Sequence, residues 1–358
     1  MTDASASFEA VSATAGPVAR GSVARVGLAT AIPAVCGYAV LYRAARRLEP
    51  AGFSVFGVFW GAFGLVTGAA NGLLQEATRE VRHTSHTRSA TEGPRTRPMR
   101  VAAAGGLTAA AVIAATAPWW AAHIFAASTR LSVLLLAGGL ACFCLHATLL
   151  GMLAGVGRWT VYGSLMVTDA VIRVLVAVAA FLLGWGLVGF LWATVAGAIA
   201  WVLVLTVSAA ARSAARVHTL GSVATFLRGT AHSIAAAGAS AVLVMGFPVL
   251  LKATSTELGA AGGVVILAVT LTRAPLLVPL TAMQGNLIAH FVDTGRGRRL
   301  RALLGPAAVV CALGTVGIVA AWAVGPWLLR VAFGPDYQAG GGLLAWLTAA
   351  AVSVACLT

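Results

Sequence analysis

The chain has 358 residues, of which 59% are hydrophobic and only 9% are charged. A soluble globular domain carries about 25% charged residues, so this composition excludes a water-soluble protein and indicates an integral membrane protein. The net charge is +14, but its arginines lie in short loops between apolar runs, which argues against nucleic acid as a partner. The five cysteines all lie in apolar segments, which argues against a disulfide framework.

Apolar runs long enough to cross a bilayer as an α-helix, about 20 residues, recur along the whole chain. The ten predicted spans are 22–42, 51–74, 101–124, 131–154, 161–183, 187–208, 231–251, 262–283, 303–325 and 341–357. Pro33, Pro248 and Pro279 fall inside these spans and are candidate positions for helix kinks. The runs lack the residue alternation of membrane β-strands. The predicted fold is therefore an all-α polytopic membrane protein with about ten transmembrane helices.

The basic residues are distributed unevenly between the two sides of the predicted membrane. If the N-terminus is cytoplasmic, the inner loops hold sixteen arginines and the outer loops hold six basic residues. Cytoplasmic loops are generally the more basic ones. We therefore expect a multi-pass protein of the cell (plasma) membrane with its N-terminus in the cytoplasm. The longest loop, 76–100, is Arg-rich and is predicted to be a solvated cytoplasmic linker.

Three segments resemble those of a known family of transporters. "YRAARRLEPAGFSVFGVF" (42–59) resembles the connection between the first two helices of polysaccharide flippases, and "RVAFGPDYQAGGGLLAWL" (330–347) resembles their loop before the tenth helix. "TRAPLLVPLTAMQGNLIAHF" (272–291) is similar to their eighth helix and its cytoplasmic exit. These flippases belong to the multidrug/oligosaccharidyl-lipid/polysaccharide (MOP) exporter superfamily, which also contains the multidrug MATE transporters.

The resemblance implies a MATE-like architecture of two helical lobes. We then expect a disordered cytoplasmic tail over 1–20, a first six-helix lobe over 21–210, a cytoplasmic linker over 211–230 and a second lobe over 231–358. The family usually has twelve or fourteen helices, whereas this second lobe has four predicted ones. It is therefore expected to be incomplete, in either a fragment of a longer chain or a shortened family member.

The resemblance also implies a transporter that is not an enzyme. Its expected substrate is a lipid-linked oligosaccharide on polyprenyl diphosphate, moved to the outer leaflet for polysaccharide or lipopolysaccharide biosynthesis. Other implied partners are membrane lipids and the glycosyltransferases or polymerase of the same pathway. The sequence has no G-x-x-x-x-G-K-[ST] motif for nucleotide binding, and no cofactor is expected.

Ionisable residues inside the predicted spans are the first candidates for the binding site, because a charge in hydrocarbon is costly. Arg273 has no acidic neighbour in sequence and is expected either to bind the diphosphate or to pair with another helix or with backbone carbonyls. Asp169 and Arg173 are four residues apart on one helix face. They either neutralise each other or couple transport to protons. Arg173 and Arg273 are together expected to form a cationic cavity lining, with Asp169 as counter-ion.

Four further residues complete the predicted substrate site. Arg25 lies near the cytoplasmic end of the first span, where it either meets the phosphate or anchors the helix among lipid headgroups. Asn71, Gln75 and Gln284 lie at the cytoplasmic ends of the second and eighth spans. They either contact sugar hydroxyls or form hydrogen bonds between helices. No residues have the spacing of metal ligands.

The sequence is also compatible with two other functions. A MATE-type multidrug antiporter for cationic drugs would need a negatively charged cavity, whereas the predicted spans hold two arginines and one aspartate. A non-transporting membrane scaffold for cell-envelope synthesis would recruit enzymes through the Arg-rich loop 76–100. Transport predicts sensitivity to loss of Arg273, and the scaffold predicts sensitivity to loss of the loop.

Overall fold

The computed structural model describes residues 20–87, 93–125, 128–273 and 299–357, and almost all of these are helical. The helices in chain order are α1 (Arg20–His86), α2 (Pro98–Ile124), α3 (Thr129–Gly155), α4 (Trp159–Leu182), α5 (Gly186–Ala196), α6 (Ala200–Val207), α7 (Ala209–Ala215), α8 (Val223–Met245), α9 (Phe247–Thr254), α10 (Gly259–Arg273), α11 (Arg299–Ala323), α12 (Gly325–Phe333) and α13 (Gly341–Leu357). A 3-10 turn, Gly197–Ile199, joins α5 to α6. Two short strands, β1 (Arg95–Thr96) and β2 (Thr219–Leu220), pair antiparallel with Arg95 opposite Leu220. Together these elements confirm the predicted all-α class.

The first helix is too long to cross a membrane only once. Its 67 residues would extend about 100 Å at 1.5 Å per residue, whereas the hydrocarbon core is about 30 Å thick. The helix breaks at Glu49, where φ is 56° and ψ is 170°, immediately before Pro50. Helix α1 therefore has two arms, 20–48 and 50–86, which correspond to the first two predicted spans.

Several helices are long and apolar enough to span a membrane. The described residues contain five such helices, with α1 counted once, or up to seven if α8–α9 and α11–α12 each form one bent span. These pairs bend by 69° and 65°, and the first bend occurs next to Pro248, one of the predicted kinks. Each of the ten predicted segments falls on a helix or a bent pair, and the eighth is described only as far as Arg273.

The prediction that 76–100 is a solvated linker is wrong at both of its ends. Helix α1 continues to His86, and α2 begins at Pro98. The helix continues past the apolar run because Ala77 and Val81 stay buried on one face against Met152, while charged side chains occupy the other faces. Amphipathic spacing therefore extends α1 beyond the purely apolar stretch.

The seventh span begins earlier than the sequence predicts. Helix α8 starts at Val223, eight residues before the predicted start at 231. Ser222 caps this start, since its Oγ accepts a hydrogen bond from the Thr225 N–H at 3.2 Å, which satisfies one of the free donors at a helix N-terminus. Arg228, which falls in the predicted linker 211–230, lies exposed on the first turns of α8.

The first half of the molecule (α1–α6) packs on the second half (α8–α13) along a contact rich in small residues. Gly61, Gly64, Gly68 and Gly72, all on the 50–86 arm, face α8. A Cβ at Gly68 would collide with that of Ala241, and one at Gly72 would collide with the backbone of Ser233 and Ile234. Small residues allow helix backbones to approach closely in lipid. We call this contact, Gly61–Gly72 against Ile234–Met245, the seam.

A second junction joins the halves beside the kink in α1. Tyr337, in the loop between α12 and α13, is 2% exposed, and its hydroxyl donates to the carbonyl of Ala45 at 2.9 Å. Its ring packs against Phe53 and Phe333, with centroids 6.4 and 5.9 Å away. Burial, with Asp336 and Glu49 as lesser causes, raises the pKa of Tyr337, so the phenol keeps its donor proton at neutral pH. Two of the segments that carry the family resemblance therefore meet here.

Candidate functional site

A cavity of about 400 Å³ lies between the halves, beside the seam. Asn71 and Gln75 contribute polar side chains from α1, and Ser240 contributes one from α8. The remaining lining residues are small or apolar: Gly68, Ala236, Ala237, Ala241, Val244 and Met245. Asn71 and Gln75 share a helix face because they are four residues apart. The structure therefore brings two of the predicted site residues together, in a cavity of the size typical of small-molecule sites, about 300–1,000 Å³.

Arg273 contacts α8 at one end of this cavity. Its Nη1 donates to the carbonyls of Val244 at 3.0 Å and Leu243 at 3.2 Å. In a continuous α-helix the Val244 carbonyl would accept from the N–H of residue 248, but that residue is Pro248, which has no N–H. Arg273 thus supplies the donor that the proline removes. This is the backbone-carbonyl pairing that the sequence left open, and a contact of Arg273 with substrate stays a prediction.

Asp169 and Arg173 form an ion pair within the first half. The Arg173 Nε lies 3.0 Å from Asp169 Oδ2, and its Nη2 donates to Oδ1 at 3.2 Å. Arg173 Nη1 also donates to the carbonyl of Thr194 at 2.9 Å, just before the 3-10 turn. Gly197 lies against the pair, where a Cβ would collide with both side chains. The pair therefore fixes α4 to the interrupted helix α5–α6.

The two arginines do not contact each other. In the described part of the chain, the hydrogen bonds of Arg173 go to Asp169 and Thr194, whereas those of Arg273 go to α8. A common cationic lining therefore stays a prediction. The side chain of Arg25 and the whole of Gln284 lie outside the described residues, so their roles also stay predictions. Among the described residues, no group of three or more His, Cys, Asp or Glu could hold a metal ion.

A buried carboxylate at the end of the seam escaped the sequence analysis. Glu76 is 2% exposed and forms an ion pair with Arg79, whose Nη2 lies 2.6 Å from Oε1. Ser233 of α8 lies within 3.5 Å of Glu76 Oε2, and Gly229 lies directly opposite the carboxylate. The only signal in the sequence is the i,i+3 spacing of Glu76 and Arg79, because the partners on α8 are far away along the chain.

Comparison with known proteins identifies close relatives in mycobacteria. The uncharacterized protein Rv3630 of Mycobacterium tuberculosis (strain H37Rv) is 67% identical over 346 residues, covering 97% of this chain and 80% of the relative. The uncharacterized protein Rv1510 of the same strain is 64% identical over 361 residues, covering 100% of this chain and 83% of the relative. No family model matches the chain.

The fold is similar to that of a solved transporter. A multidrug resistance MATE family transporter of the MOP superfamily, in an outward-facing conformation, superposes with a TM-score of 0.60. The match covers 93% of this chain and 78% of that structure, at 14% sequence identity. This identity is too low to transfer a substrate or a role, but the likeness shows that the chain has a MATE-like fold.

Proposed function

Because the chain belongs to the family of mycobacterial proteins that includes Rv3630 and Rv1510, and because it has the MATE fold, we propose that it translocates lipid-linked saccharides across the cell membrane. The substrate is an oligosaccharide on polyprenyl diphosphate, which moves from the inner to the outer leaflet. The two halves open the cavity beside the seam to each side of the membrane in turn, as in other transporters with paired lobes.

The observation that carries this proposal is the chemistry of the cavity. Asn71, Gln75 and Ser240 offer amide and hydroxyl groups, which hydrogen-bond to sugar hydroxyls both as donors and as acceptors. Arg273 lies at the Val244 end of the same cavity, and a guanidinium binds phosphate oxygens in a bidentate manner. A sugar head and a diphosphate thus find complementary groups along one short path between the halves.

Two separated contacts along the 50–86 arm support alternating access. The Tyr337 ring packs on Phe53 near the start of the arm, and Ser233 lies against Glu76 further along it. These contacts are 23 residues apart on the helix, or about 35 Å along its axis. In the proposed cycle they open one after the other, so that the cavity is exposed to one side of the membrane at a time.

Export of cationic drugs is the second candidate, since the matched structure is a multidrug resistance transporter. A cavity for a drug cation needs unpaired negative charge. Among the described residues, however, the half-buried carboxylate of Asp169 and the buried carboxylate of Glu76 are each paired with an arginine. The uncharged polar cavity beside Arg273 therefore favours an anionic, sugar-bearing substrate.

The test is a leaflet-accessibility assay on the full chain in proteoliposomes that contain a fluorescent polyprenyl-diphosphate saccharide. We expect the wild-type protein to expose the labelled sugar at the opposite leaflet. The Asn71→Ala/Gln75→Ala variant should slow this by about tenfold, the loss expected when about 1.4 kcal/mol of hydrogen bonding is removed. Gln338→Ala is the control, because Gln338 is exposed in the Tyr337 loop outside the cavity.

Three outcomes would contradict the proposal. Equal rates for the cavity variant and the Gln338→Ala control would remove the cavity from the transport path. Efflux of a fluorescent cationic drug without saccharide movement would establish the antiporter in its place. Absence of both activities, with loss of polysaccharide synthesis when the exposed Arg82, Arg95 and Arg100 are changed to glutamine, would favour the scaffold.

A further inference from the structure

A second groove lies in the first half, between the spans formed by α1 and α4. It has a volume of about 350 Å³ and is formed by Ala39, Val40 and Arg43 of α1 with Val174, Ala177, Val178, Phe181 and Leu182 of α4. Several of its apolar side chains are exposed, with Leu182 at 75% and Val178 at 47%. Most of these residues belong to predicted spans, so the groove lies at the depth of the bilayer's acyl chains.

A cation is positioned at the mouth of this apolar groove. The guanidinium carbon of Arg43 lies 5.2 Å from the centroid of the Phe181 ring, a distance at which a cation is attracted to an aromatic face. This contact links the two walls of the groove and holds the charge next to its apolar interior. An arginine that only anchored the helix among headgroups would not need an aromatic partner on a neighbouring helix.

Two more arginines continue the same helix face beyond the groove. Arg46 and Arg47 follow Arg43 by three and four residues. Arg43 itself follows Val40 by three residues and Ala39 by four. Residues at this spacing are neighbours on a helix surface, so all five lie on one face of α1. Arg43, Arg46 and Arg47 are exposed. Among the described residues none of the three forms an ion pair, and Glu49 is the one acidic residue of the segment 42–59.

We propose that this groove is a binding site for an anionic bilayer phospholipid, with an acyl chain between α1 and α4 and the phosphate on Arg43. The site lies in the leaflet on the side of the α1 kink, which is the outer leaflet in the predicted orientation. Charge complementarity selects the anionic lipid, because a basic pocket between transmembrane helices favours a negatively charged headgroup. The site is separate from the seam cavity and does not depend on the proposed transport function.

The test is native mass spectrometry of the full chain, titrated in detergent with dioleoyl-phosphatidylglycerol or dioleoyl-phosphatidylcholine. The two lipids have the same acyl chains and differ in headgroup charge. We expect phosphatidylglycerol to bind about tenfold more tightly, and Arg43→Gln to remove most of this preference, as the loss of one charge-assisted contact predicts. Arg130→Gln, which removes an exposed arginine at the start of α3, should change nothing.

A second pair of variants tests the apolar part of the site. Val178→Trp fills the groove without changing charge, and we expect it to weaken phosphatidylglycerol binding severalfold. Leu134→Trp is its control, since Leu134 is 68% exposed on α3 and does not line the groove. Thermal unfolding of all four variants checks that each is folded, which their exposed positions lead us to expect.

Equal affinity for the two phospholipids would overturn the proposal, as would equal effects of Arg43→Gln and Arg130→Gln. A third titration uses a polyprenyl phosphate on protein already loaded with phosphatidylglycerol. If the polyprenyl phosphate binds this groove more tightly than phosphatidylglycerol, the site belongs to the lipid-linked substrate and the assignment is wrong. Weaker binding of the polyprenyl phosphate is the result we expect.

Discussion

The two intramembrane arginines are held in similar ways but have different electrostatic surroundings. Each donates to a backbone carbonyl at a helix interruption, Arg173 to Thr194 before a 3-10 turn and Arg273 to Val244 before Pro248. Asp169 neutralises Arg173, whereas in the described part of the chain no acidic side chain pairs with Arg273. The first pair is therefore suited to fixing a helix within one half. Arg273, at the cavity between the halves, is the arginine that we propose binds an anionic ligand.

The largest effect on stability is expected from Asp169→Asn, which leaves the half-buried Arg173 without its counter-charge. Removing one partner of a largely buried ion pair costs about 3 kcal/mol, and the two side chains are 25% and 15% exposed. Thermal unfolding of the detergent-solubilised protein measures this loss. Asp169→Asn/Arg173→Gln removes both charges and should be more stable than the single variant, because no uncompensated charge remains.

The same two variants test whether Asp169 couples transport to protons. If the pair is structural, the double variant should keep most of the wild-type transport rate and the wild-type pH profile. A double variant that folds but has lost transport or its dependence on pH would show that the pair acts in the transport cycle. The distinction between the two arginines would then be wrong.

A smaller loss of stability is expected from Gly72→Ala, which places a Cβ against the α8 backbone at the seam. Overpacking of this kind costs about 1–3 kcal/mol, so the unfolding temperature should fall and the two halves should separate more readily. The matched control is Gly105→Ala on α2, where nothing lies within 4 Å of the added Cβ. There the substitution should be neutral or stabilise by about 0.5–1 kcal/mol through helix propensity.

The smallest effect is expected from Tyr337→Phe at the other junction between the halves. It removes the hydrogen bond to Ala45 and retains the ring, for a cost of about 1 kcal/mol. Tyr42→Phe is the control, because Tyr42 is 41% exposed and contacts Phe333 through its ring at 5.4 Å. Equal unfolding temperatures for the two variants would show that the Tyr337 hydroxyl does not stabilise the junction.

The pH dependence of the stability that the Tyr337 hydrogen bond contributes follows from the direction in which the pKa of Tyr337 is shifted. The pKa is raised in the folded protein, so the hydrogen bond contributes fully below the ordinary tyrosine pKa of about 10. It is lost only as the pH rises through the higher, folded-state pKa. The stability difference between wild type and Tyr337→Phe should therefore be constant from pH 6 to pH 9.

Local features of the sequence predicted most of the fold. Hydrophobic length located the spans, because the bilayer imposes it on every transmembrane helix, and Pro248 marked the break between α8 and α9. Contacts between distant segments could not be predicted in this way. The Tyr337 hydroxyl and the Ala45 carbonyl are 292 residues apart, and nothing local to Glu76 indicates that Ser233 and Gly229 will cover it. The contribution of Ser240 to the cavity of Asn71 and Gln75 could not be predicted either, because Ser240 is far from both residues in sequence.

The role of Arg273 is tested most directly by restoring the hydrogen bond that Pro248 removes. In Pro248→Ala the residue regains an N–H, so the Val244 carbonyl no longer needs the arginine. Arg273→Gln alone should lower both stability and transport. The double variant Pro248→Ala/Arg273→Gln should be as stable as Pro248→Ala alone. It should nevertheless translocate the saccharide about tenfold more slowly than Pro248→Ala, as loss of a charge-assisted phosphate contact predicts. Full recovery of translocation in the double variant would show that Arg273 only holds a helix together, and would contradict the account.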